Sequence, residues 1–187
     1  MEMLIVLIAP AIIVGYLYSL YVKVIKNANT AREALSGIDV QLKKRYDLIP
    51  NILTIAKRFM EHEQTLFSEI TALRTSAQQC TKSGSKEKFD LEGQLGAKLG
   101  QLMVQVENYP QLKSDATMVS AMQTYSEVEE HISAARRFYN SALTQVRNSI
   151  QIFPSSIFAG FAGDARNFEF FQSDEVSKQP VSAAQFL

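Results

Sequence analysis

The segment GIDVQLKKRYDLIPNILTIAKRF, Gly37–Phe59, decides the fold because it combines a helical pattern with a helix-breaking residue. Apolar side chains recur every three or four residues on both sides of Pro50, so one seam continues without a change of phase. The pattern predicts a helix that continues through Pro50 with a kink, where the proline leaves the carbonyl of Tyr46 without its helical donor. The alternative is a new helix with Asp47 as N-cap and Pro50 in its first turn.

Helical spacing extends outward from this segment over almost the whole chain, and no strand-like alternation lasts beyond a few positions. The first seam continues from Leu35 to Ala77. The pattern predicts a long first helix that ends at a loop, Cys80–Lys88, and a second helix from about Glu87 to Asn108. A third helix is predicted to be capped by Ser114 or Asp115 and to end near Gln151, before Pro154. The Phe-rich segment that follows is predicted to form a turn and a short helix.

These elements predict an all-α fold, in which an N-terminal transmembrane helix is followed by an elongated antiparallel bundle of three to four helices. The chain then divides into an anchor with its flank (residues 1–26), a helical bundle (residues 27–171) and a flexible polar tail (residues 172–187).

Residues Met3–Val22 carry no charged side chain. As a helix they would measure roughly 30 Å, which matches the hydrocarbon core of a bilayer. Tyr16, Tyr18 and Tyr21 lie toward the end where an interfacial aromatic belt is expected. A cleaved signal peptide would need a basic start and a small-residue cleavage site, which this sequence lacks. Lys and Arg occur only after the span, so the positive-inside rule predicts a single-pass protein of the cell membrane, with its N-terminus outside and most of the chain cytoplasmic.

A stripe of small residues, Ala11, Gly15 and Ser19, recurs every fourth position within this span. Small residues at that spacing let two membrane helices approach closely, so the stripe is a candidate packing face for a homo-oligomer. Such residues are also common in membrane helices that do not associate, and both interpretations stay open from the sequence.

The sequence lacks the residue patterns of the common catalytic and metal sites. The 19 basic and 19 acidic side chains give no net charge, which argues against a nucleic-acid partner, and Cys80 is the only cysteine. A di-metal site in a helical bundle needs a carboxylate three residues before each histidine, but Phe59 and Val128 stand at those positions before His62 and His131. We therefore expect no metal, no cofactor and no catalytic activity.

Four charged residues fall at positions that the periodicity assigns to the bundle interior: Arg45, Glu63, Glu129 and Arg136. Buried charges need partners of opposite sign. We predict that Glu63 pairs with Arg136, and that Arg45 finds Glu129, the region of Asp47 or the carbonyl freed by Pro50. Such pairs either fix the register of the helices or form a functional polar site.

Five separated segments carry the remaining information: IDVQLKKRYDLIPN (38–51), EHE (61–63), ENYPQLKS (107–114), ISAARRFYN (132–140) and IFPSSIFAGFAG (152–163). In order and spacing they resemble the hallmark segments of the LemA family of bacterial proteins, and the resemblance extends from about Asn27 to Phe171. It implies a single-span membrane protein with a cytoplasmic helical bundle, for which no catalytic residues are established. The motif positions that the chain shares are Asp39, Arg45, Asp47, Pro50, Asn51, His62, Glu63, Glu107, Tyr109, Pro110, Arg136, Tyr139, Asn140 and Pro154.

The resemblance also implies partners. Related proteins occur in magnetosome membranes, where they are associated with membrane organisation, and some are linked with a membrane zinc protease. Since no catalytic site is visible, we expect a non-catalytic adaptor or scaffold that binds protein partners at the cytoplasmic face of the membrane. Two alternatives stay open: a membrane-organising or lipid-surface protein that uses the basic run Lys43–Arg45 and the Phe-rich segment, and a small-ligand binder or enzyme that uses the charged seam.

Overall fold

The structure is a computed structural model that describes the backbone of residues 2–172 and the side chains of residue 8 and residues 10–172. The predicted all-α class is confirmed, because this part of the chain contains helices and no strand. The elements are α1 (Glu2–Ala56), α2 (Gln64–Gln79), α3 (Lys86–Val106), α4 (Pro110–Lys113), α5 (Ala116–Gln151) and a 3-10 helix (Ser155–Asn167).

Contacts divide the described chain into two compact units. Unit 1 comprises residues 2–40 and 133–168, and unit 2 comprises residues 41–132 and 169–172. Helices α1 and α5 each contribute one part to each unit. The core of unit 1 is built from the seams of α1 and α5 together with the 3-10 helix, and its buried side chains include Val24, Ala28, Ala31, Leu35, Ile38, Tyr139, Leu143, Val146, Ala162 and Ala165.

In unit 2 the helices α2 and α3 form an antiparallel hairpin. Nζ of Lys98 on α3 lies 2.6 Å from Oε2 of Glu69 on α2, and Lys88 near the start of α3 donates to the carbonyl of Ala77 near the end of α2. The apolar face of α3 is buried, including Leu95, Leu99, Leu102 and Val106.

No helix in the part of the chain with described side chains is both long and apolar enough to cross a membrane. The predicted span Met3–Val22 includes residues 3–7 and 9, whose side chains lie outside the described residues. The predicted tail also lies outside them, apart from Gln172.

Helix α1 passes through Pro50 without interruption, so the predicted continuing helix is confirmed and the alternative with Asp47 as N-cap is wrong. Proline has no backbone N–H, and it therefore cannot donate to the carbonyl of Tyr46, four residues earlier. Nε of Arg74 on α2 fills that place, at 2.8 Å from the Tyr46 carbonyl oxygen. The carbonyl that Pro50 frees thus becomes a contact between α1 and α2.

The prediction that the first helix reaches Ala77 is wrong. Helix α1 ends at Ala56, where the backbone N–H groups of Arg58 and Phe59 bond three residues back, to Ile55 at 3.2 Å and to Ala56 at 3.0 Å. These tighter bonds close the helix, and Met60 is fully buried in the turn that follows. The turn comprises residues 57–63, one heptad in length, so the apolar seam resumes in phase on α2 and conceals the break.

Helices α3 and α5 each begin directly after a residue whose side chain caps the helix. Oγ of Ser85 accepts the N–H of Lys88 at 3.3 Å at the start of α3, and Oδ1 of Asp115 accepts the N–H groups of Thr117 and Met118 at the start of α5. The predicted third helix is therefore confirmed with Asp115 as its cap. The short helix α4, which begins at Pro110, was not predicted.

Removing Arg74 tests the dependence of α2 on the missing N–H of Pro50. In Arg74→Ala the half-buried Tyr46 carbonyl loses its donor, and we expect the free energy of unfolding to fall by about 1–3 kcal/mol. In the Pro50→Ala background the new backbone N–H at position 50 can bond that carbonyl, so the same substitution should cost clearly less. Urea unfolding followed by circular dichroism measures all four proteins, and an equal cost in both backgrounds would contradict the proposed link.

The cap of α5 should make stability depend on pH. The hydroxyl of Thr117, followed by the N–H of Met118, holds the pKa of Asp115 below its usual range. A lowered pKa stabilises the fold at pH values above the unfolded pKa of about 3.9 and loses this effect as the pH falls through the folded value. Asp115→Asn retains an acceptor but no charge, so its melting temperature should lie below that of the unaltered chain near neutral pH. This difference in melting temperature between the two proteins should disappear at strongly acidic pH.

The matched control for this prediction is Thr117→Val, which removes the hydroxyl donor and leaves Asp115 in place. It should weaken the pH dependence of the melting temperature. A difference between Asp115→Asn and the unaltered chain that is the same at neutral and at strongly acidic pH would show that the carboxylate charge has no role in the cap.

Candidate functional site

A buried charged cluster lies in unit 2, centred on Arg45 of α1. Arg45 is 3% exposed and Glu92 of α3 is 1% exposed. Nη2 of Arg45 donates to a carboxylate oxygen of Glu92 and, at 3.2 Å, to its backbone carbonyl, while Nη1 donates to Oε1 of Glu129 on α5 at 3.1 Å. One guanidinium therefore joins three helices.

Glu92 is the acidic centre of the cluster. One carboxylate oxygen pairs with Arg45, and the other accepts from the hydroxyl of Tyr46 and lies 3.3 Å from Nζ of Lys88. Lys88, on the same face of α3, also donates to the Tyr46 hydroxyl at 3.0 Å, and its ammonium lies 5.4 Å from the Tyr46 ring centroid. Both oxygens of the buried carboxylate are thus paired, as burial of such a charge requires.

The electrostatics of the cluster keep Arg45 charged. Burial alone would lower the pKa of Arg45, but the carboxylates of Glu129 and Glu92 outweigh this effect and raise it above its usual value. Burial, with the charge of Glu129 beside it, raises the pKa of Tyr125 well above its usual range. The guanidinium therefore stays protonated and the Tyr125 hydroxyl stays neutral at physiological pH.

The contacts of the cluster favour a structural role over chemistry. Two cations face two carboxylates, and Nε of Arg45 is a buried donor without a partner in the described chain. A Cβ built at Gly96 would lie 3.4 Å from Nη1 of Arg45, so the guanidinium lies directly against the backbone of α3. Among the residues with described side chains, no group of three or more His, Cys, Asp or Glu is placed to hold a metal ion.

The four charged residues that were predicted to lie in the bundle interior differ in how deeply they are buried. The predicted contact between Arg45 and Glu129 is confirmed. Of the four, only Arg45 is buried; Glu63, Glu129 and Arg136 are half-buried, because long charged side chains cover apolar surface with their stems while their heads reach water. Glu63 and Arg136 belong to different units, and their pairing stays a prediction.

Two motif acids of unit 2 form ion pairs at the surface. Asp47 lies 3.0 Å from Nζ of Lys43 one turn earlier, and Glu107 pairs with Lys113. Exposed pairs of this kind contribute about 0–1 kcal/mol, so neither carboxylate marks a site by its energetics. Asn51 is exposed on α1.

The turn after α1 lies beside the turn after α3. The first turn carries His62, which is exposed, and Glu63, which is the residue before α2. A shallow pocket of about 410 Å³ joins the two turns, and its lining residues are Arg58, Phe59, Asn108, Tyr109, Pro110 and Gln111. The structure therefore brings the third motif segment beside the start of the turn that carries the second.

The remaining predicted residues lie in unit 1. Tyr139 is fully buried, whereas Asp39, Arg136, Asn140 and Pro154 are half-buried. The small-residue stripe Ala11, Gly15 and Ser19 is exposed, and a Cβ at Gly15 would meet no atom within 4 Å.

Sequence reasoning missed Glu92 and Lys88, although a signal was present. Counting back from Leu102 in steps of three and four gives positions 99, 95, 92 and 88, all of which are buried. In the sequence, the leucines of this helix, Leu91, Leu95, Leu99 and Leu102, predict an apolar face that includes Leu91 in place of Glu92, but Leu91 is only half-buried. The spacing of three and four residues, rather than residue type, identifies Lys88 and Glu92 as buried.

The profile of the LemA family matches residues 34–186 of this sequence. The chain belongs to the LemA family. The match confirms the resemblance carried by the motifs; it begins after Asn27, and it extends beyond Phe171, to which the resemblance was traced. It covers every member of the buried cluster on α1, α3 and α5.

Individual LemA relatives are distant. The magnetosome proteins MamQ 2 and MamQ 1 of Paramagnetospirillum magneticum are each 24% identical over 176 residues, which cover 81% of this chain and 64% of theirs. Protein LemA of Metamycoplasma hominis is 24% identical over 176 residues, covering 92% of this chain and 80% of its own. The chain thus spans less than two thirds of the length of the first two relatives.

The Arg45–Glu92 pair can be tested by a double-mutant cycle. Arg45→Met leaves the buried Glu92 with Lys88 as its one remaining cation, and Glu92→Leu leaves the buried Arg45 with the half-buried Glu129 as its one remaining carboxylate. Each substitution should lower the free energy of unfolding by about 3–5 kcal/mol. The double substitution removes both charges, so it should cost clearly less than the sum of the two. Urea unfolding followed by circular dichroism provides the measurement.

The matched control lies on the same helix, where Asp90 pairs with Lys86 at the surface. Asp90→Ala should change the free energy of unfolding by no more than about 0.5 kcal/mol. Additive costs for Arg45→Met and Glu92→Leu would show that the two residues do not act as a pair.

Proposed function

We propose that this LemA-family chain is a membrane-anchored adaptor without catalytic activity. Its N-terminal helix lies in the bilayer, and its helical body binds protein partners at the cytoplasmic face. The observation that carries the proposal is the apolar surface of α1: Ile12, Ile13, Val14 and Tyr18 are all between 58% and 66% exposed. Apolar side chains on consecutive positions of a helix cannot share one face, so this part of α1 is apolar around its circumference.

The charge pattern supports the same anchor. Met3–Val22 lacks any charged residue, and Lys23 and Lys26 follow it directly. An apolar surface of this kind is costly in water and is typical of a segment that contacts lipid or a partner. The basic flank favours the orientation with the body in the cytoplasm.

The buried cluster supports a role without catalysis. Catalytic groups keep an unused donor, acceptor or nucleophile facing a space that a substrate can enter. The carboxylate of Glu92 uses both oxygens within the protein, and Arg45 and Lys88 are both held by it. These contacts fix three helices in one register, which suits a body that presents a constant surface.

Two kinds of partner are proposed, a membrane zinc protease and a second copy of the chain. The exposed stripe Ala11, Gly15 and Ser19 offers an open face for a second membrane helix. A membrane-organising or lipid-surface role is the second candidate function. It is favoured by the exposed apolar side chains of the segment around the 3-10 helix, and by relatives that are named magnetosome proteins.

The anchor is tested by introducing charge at its centre. Each aspartate at the middle of a membrane helix costs about 2.5–3.5 kcal/mol on insertion scales, so Ile12→Asp with Val14→Asp should release the chain from membranes into the alkaline-soluble fraction. Val104→Asp with Val119→Asp is the matched control, because these valines are also exposed, at 70% and 50%, but lie in unit 2. It should stay with the membrane. Retention of both variants would contradict anchoring by α1.

The adaptor role is tested on the tagged full chain in detergent-solubilised membranes of its own cell. A captured protein counts as a partner when the complex re-forms from two purified components. A bound metabolite that the purified chain converts would overturn the proposal in favour of an enzyme.

A further inference from the structure

An uncharged, exposed apolar surface surrounds the 3-10 helix of unit 1. Residues 151–163 contain no charged side chain. Within them Ile152, Phe153, Ile157 and Phe161 are exposed, and Phe153 reaches 77%. This surface, defined by those four residues and called here the apolar rim, consists of large apolar side chains that the described part of the chain leaves exposed.

The apolar rim is a fixed part of unit 1, because its opposite side is packed. Ala162 and Ala165 are fully buried, and the ring of Tyr21 on α1 meets the rings of Phe158 at 5.9 Å and Phe161 at 5.0 Å between centroids. These edge-to-face contacts attach the 3-10 helix to the side of α1.

A polar clamp holds the other end of the segment. Arg32 of α1 donates from Nε to Oδ1 of Asp164 at 2.8 Å and from Nη2 to the carbonyl of Ala162 at 2.9 Å. Gly163 between them has φ 62°, and a Cβ there would lie 2.9 Å from Nη2 of Arg32, so the close approach needs glycine. The exposure of the apolar rim is therefore held in place by the structure itself.

The position of Tyr21 fixes the level of the apolar rim along α1. Tyr21 is the second-last residue of the uncharged stretch Met3–Val22, and Lys23 and Lys26 follow it, both exposed. The rim thus packs beside α1 at the point where the apolar part of the helix gives way to its basic part. Aromatic side chains and nearby lysines at that level are typical of the headgroup region of a bilayer.

The charges around the apolar rim fit a lipid surface. Asp164 is the only acid in the segment 151–167, and it is neutralised by Arg32 at 2.6 Å. Lys23, Lys26 and Arg166 are exposed cations. A basic margin around an apolar surface matches anionic headgroups above acyl chains.

We infer that the apolar rim inserts into the headgroup region of the bilayer and gives the protein a second membrane contact beside its anchor. This inference rests on the proposed anchoring by α1. The ligand class is phospholipid, with acyl chains against Phe153, Ile157 and Phe161 and anionic headgroups against the lysines. The 3-10 helix would then set the depth of unit 1 at the membrane surface.

Hydroxyl-radical footprinting of the unaltered full chain tests the inference in nanodiscs of phosphatidylcholine and phosphatidylglycerol. Phe138 is the internal control, since it is 55% exposed in unit 1 but lies outside the segment 151–163. From exposure to water alone, Phe153 should oxidise faster than Phe138. Insertion into lipid reverses that order. Phe153 oxidising as fast as Phe138, or faster, in chains that have entered nanodiscs would overturn the inference.

A fluorescence measurement separates lipid from a second copy of the chain. Cys80→Ser with Ile157→Cys places one environment-sensitive label on the apolar rim, and Cys80→Ser with Val104→Cys is the matched control at an exposed valine of unit 2. The Ile157 label should shift to shorter emission wavelength and lose intensity when brominated phospholipids replace the ordinary ones. The Val104 label should do neither.

The outcomes distinguish the inference from the anchor. A chain that does not co-elute with nanodiscs contradicts the anchor, and the second contact with it. A chain that co-elutes while its Ile157 label emits as in water overturns the second contact alone. A blue-shifted label that brominated lipids do not quench also overturns it, because the apolar rim is then covered by protein. Matching helix content by circular dichroism shows that the labelled chains have folded.

Discussion

The guanidinium of Arg45 is a charge that unit 2 takes out of water, and three of its helices are arranged around that constraint. The desolvation cost of such an ion is several kcal/mol, and it is offset only where carboxylates meet it with good geometry. Glu92 comes from α3 and Glu129 from α5, so both helices must present one residue to α1. A slip of one residue would rotate a carboxylate by about 100° away from the guanidinium. The ion pairs therefore define the register of α1, α3 and α5.

Helix α2 is held by backbone carbonyls rather than by buried carboxylates. Pro50 leaves the Tyr46 carbonyl without a helical donor, and Arg74 of α2 supplies one. One turn after Arg74, the carbonyl of Ala77 lies in the last turn of α2, where helix carbonyls lack intrahelical partners, and Lys88 donates to it. Because Lys88 also contacts Glu92, the end of α2 is connected to the charged cluster. A proline and a helix terminus thus provide the acceptors that place α2.

The sequence predicts features that depend on neighbours along the chain better than features that depend on packing between helices. The cap of α5 was predicted as Ser114 or Asp115, because a cap depends on side chains within one turn, and the continuity of α1 at Pro50 was predicted from the seam that keeps its phase there. The pairing of Arg45 with Glu129 was predicted as one of three options, because only two buried acids were considered. Glu92 was missed because the leucines of α3 predict an apolar face that includes Leu91 and leaves out position 92. The break after Ala56 was missed because a turn of seven residues keeps the seam in phase. Both errors come from reliance on periodicity, which indicates the buried face of a helix but not which residues of other helices pack against it.

The two units handle charge in opposite ways, and this contrast connects the structure to the proposed function. Unit 2 buries the charges of Arg45 and Glu92 against each other, and both oxygens of the Glu92 carboxylate are used within the cluster, while Nε of Arg45 has no partner in the described chain. Unit 1 instead uses a charged pair, Arg32 with Asp164, to hold a segment whose outward side chains are apolar. Packing alone would turn such side chains inward. A polar clamp that holds them outward makes physical sense if the outward medium is itself apolar, and the lipid beside α1 is the nearest such medium under the anchored topology. If the proposed anchor and the proposed second contact both hold, the lipid-surface role complements the proposed adaptor role, because two membrane contacts would fix the orientation of unit 1 at the bilayer.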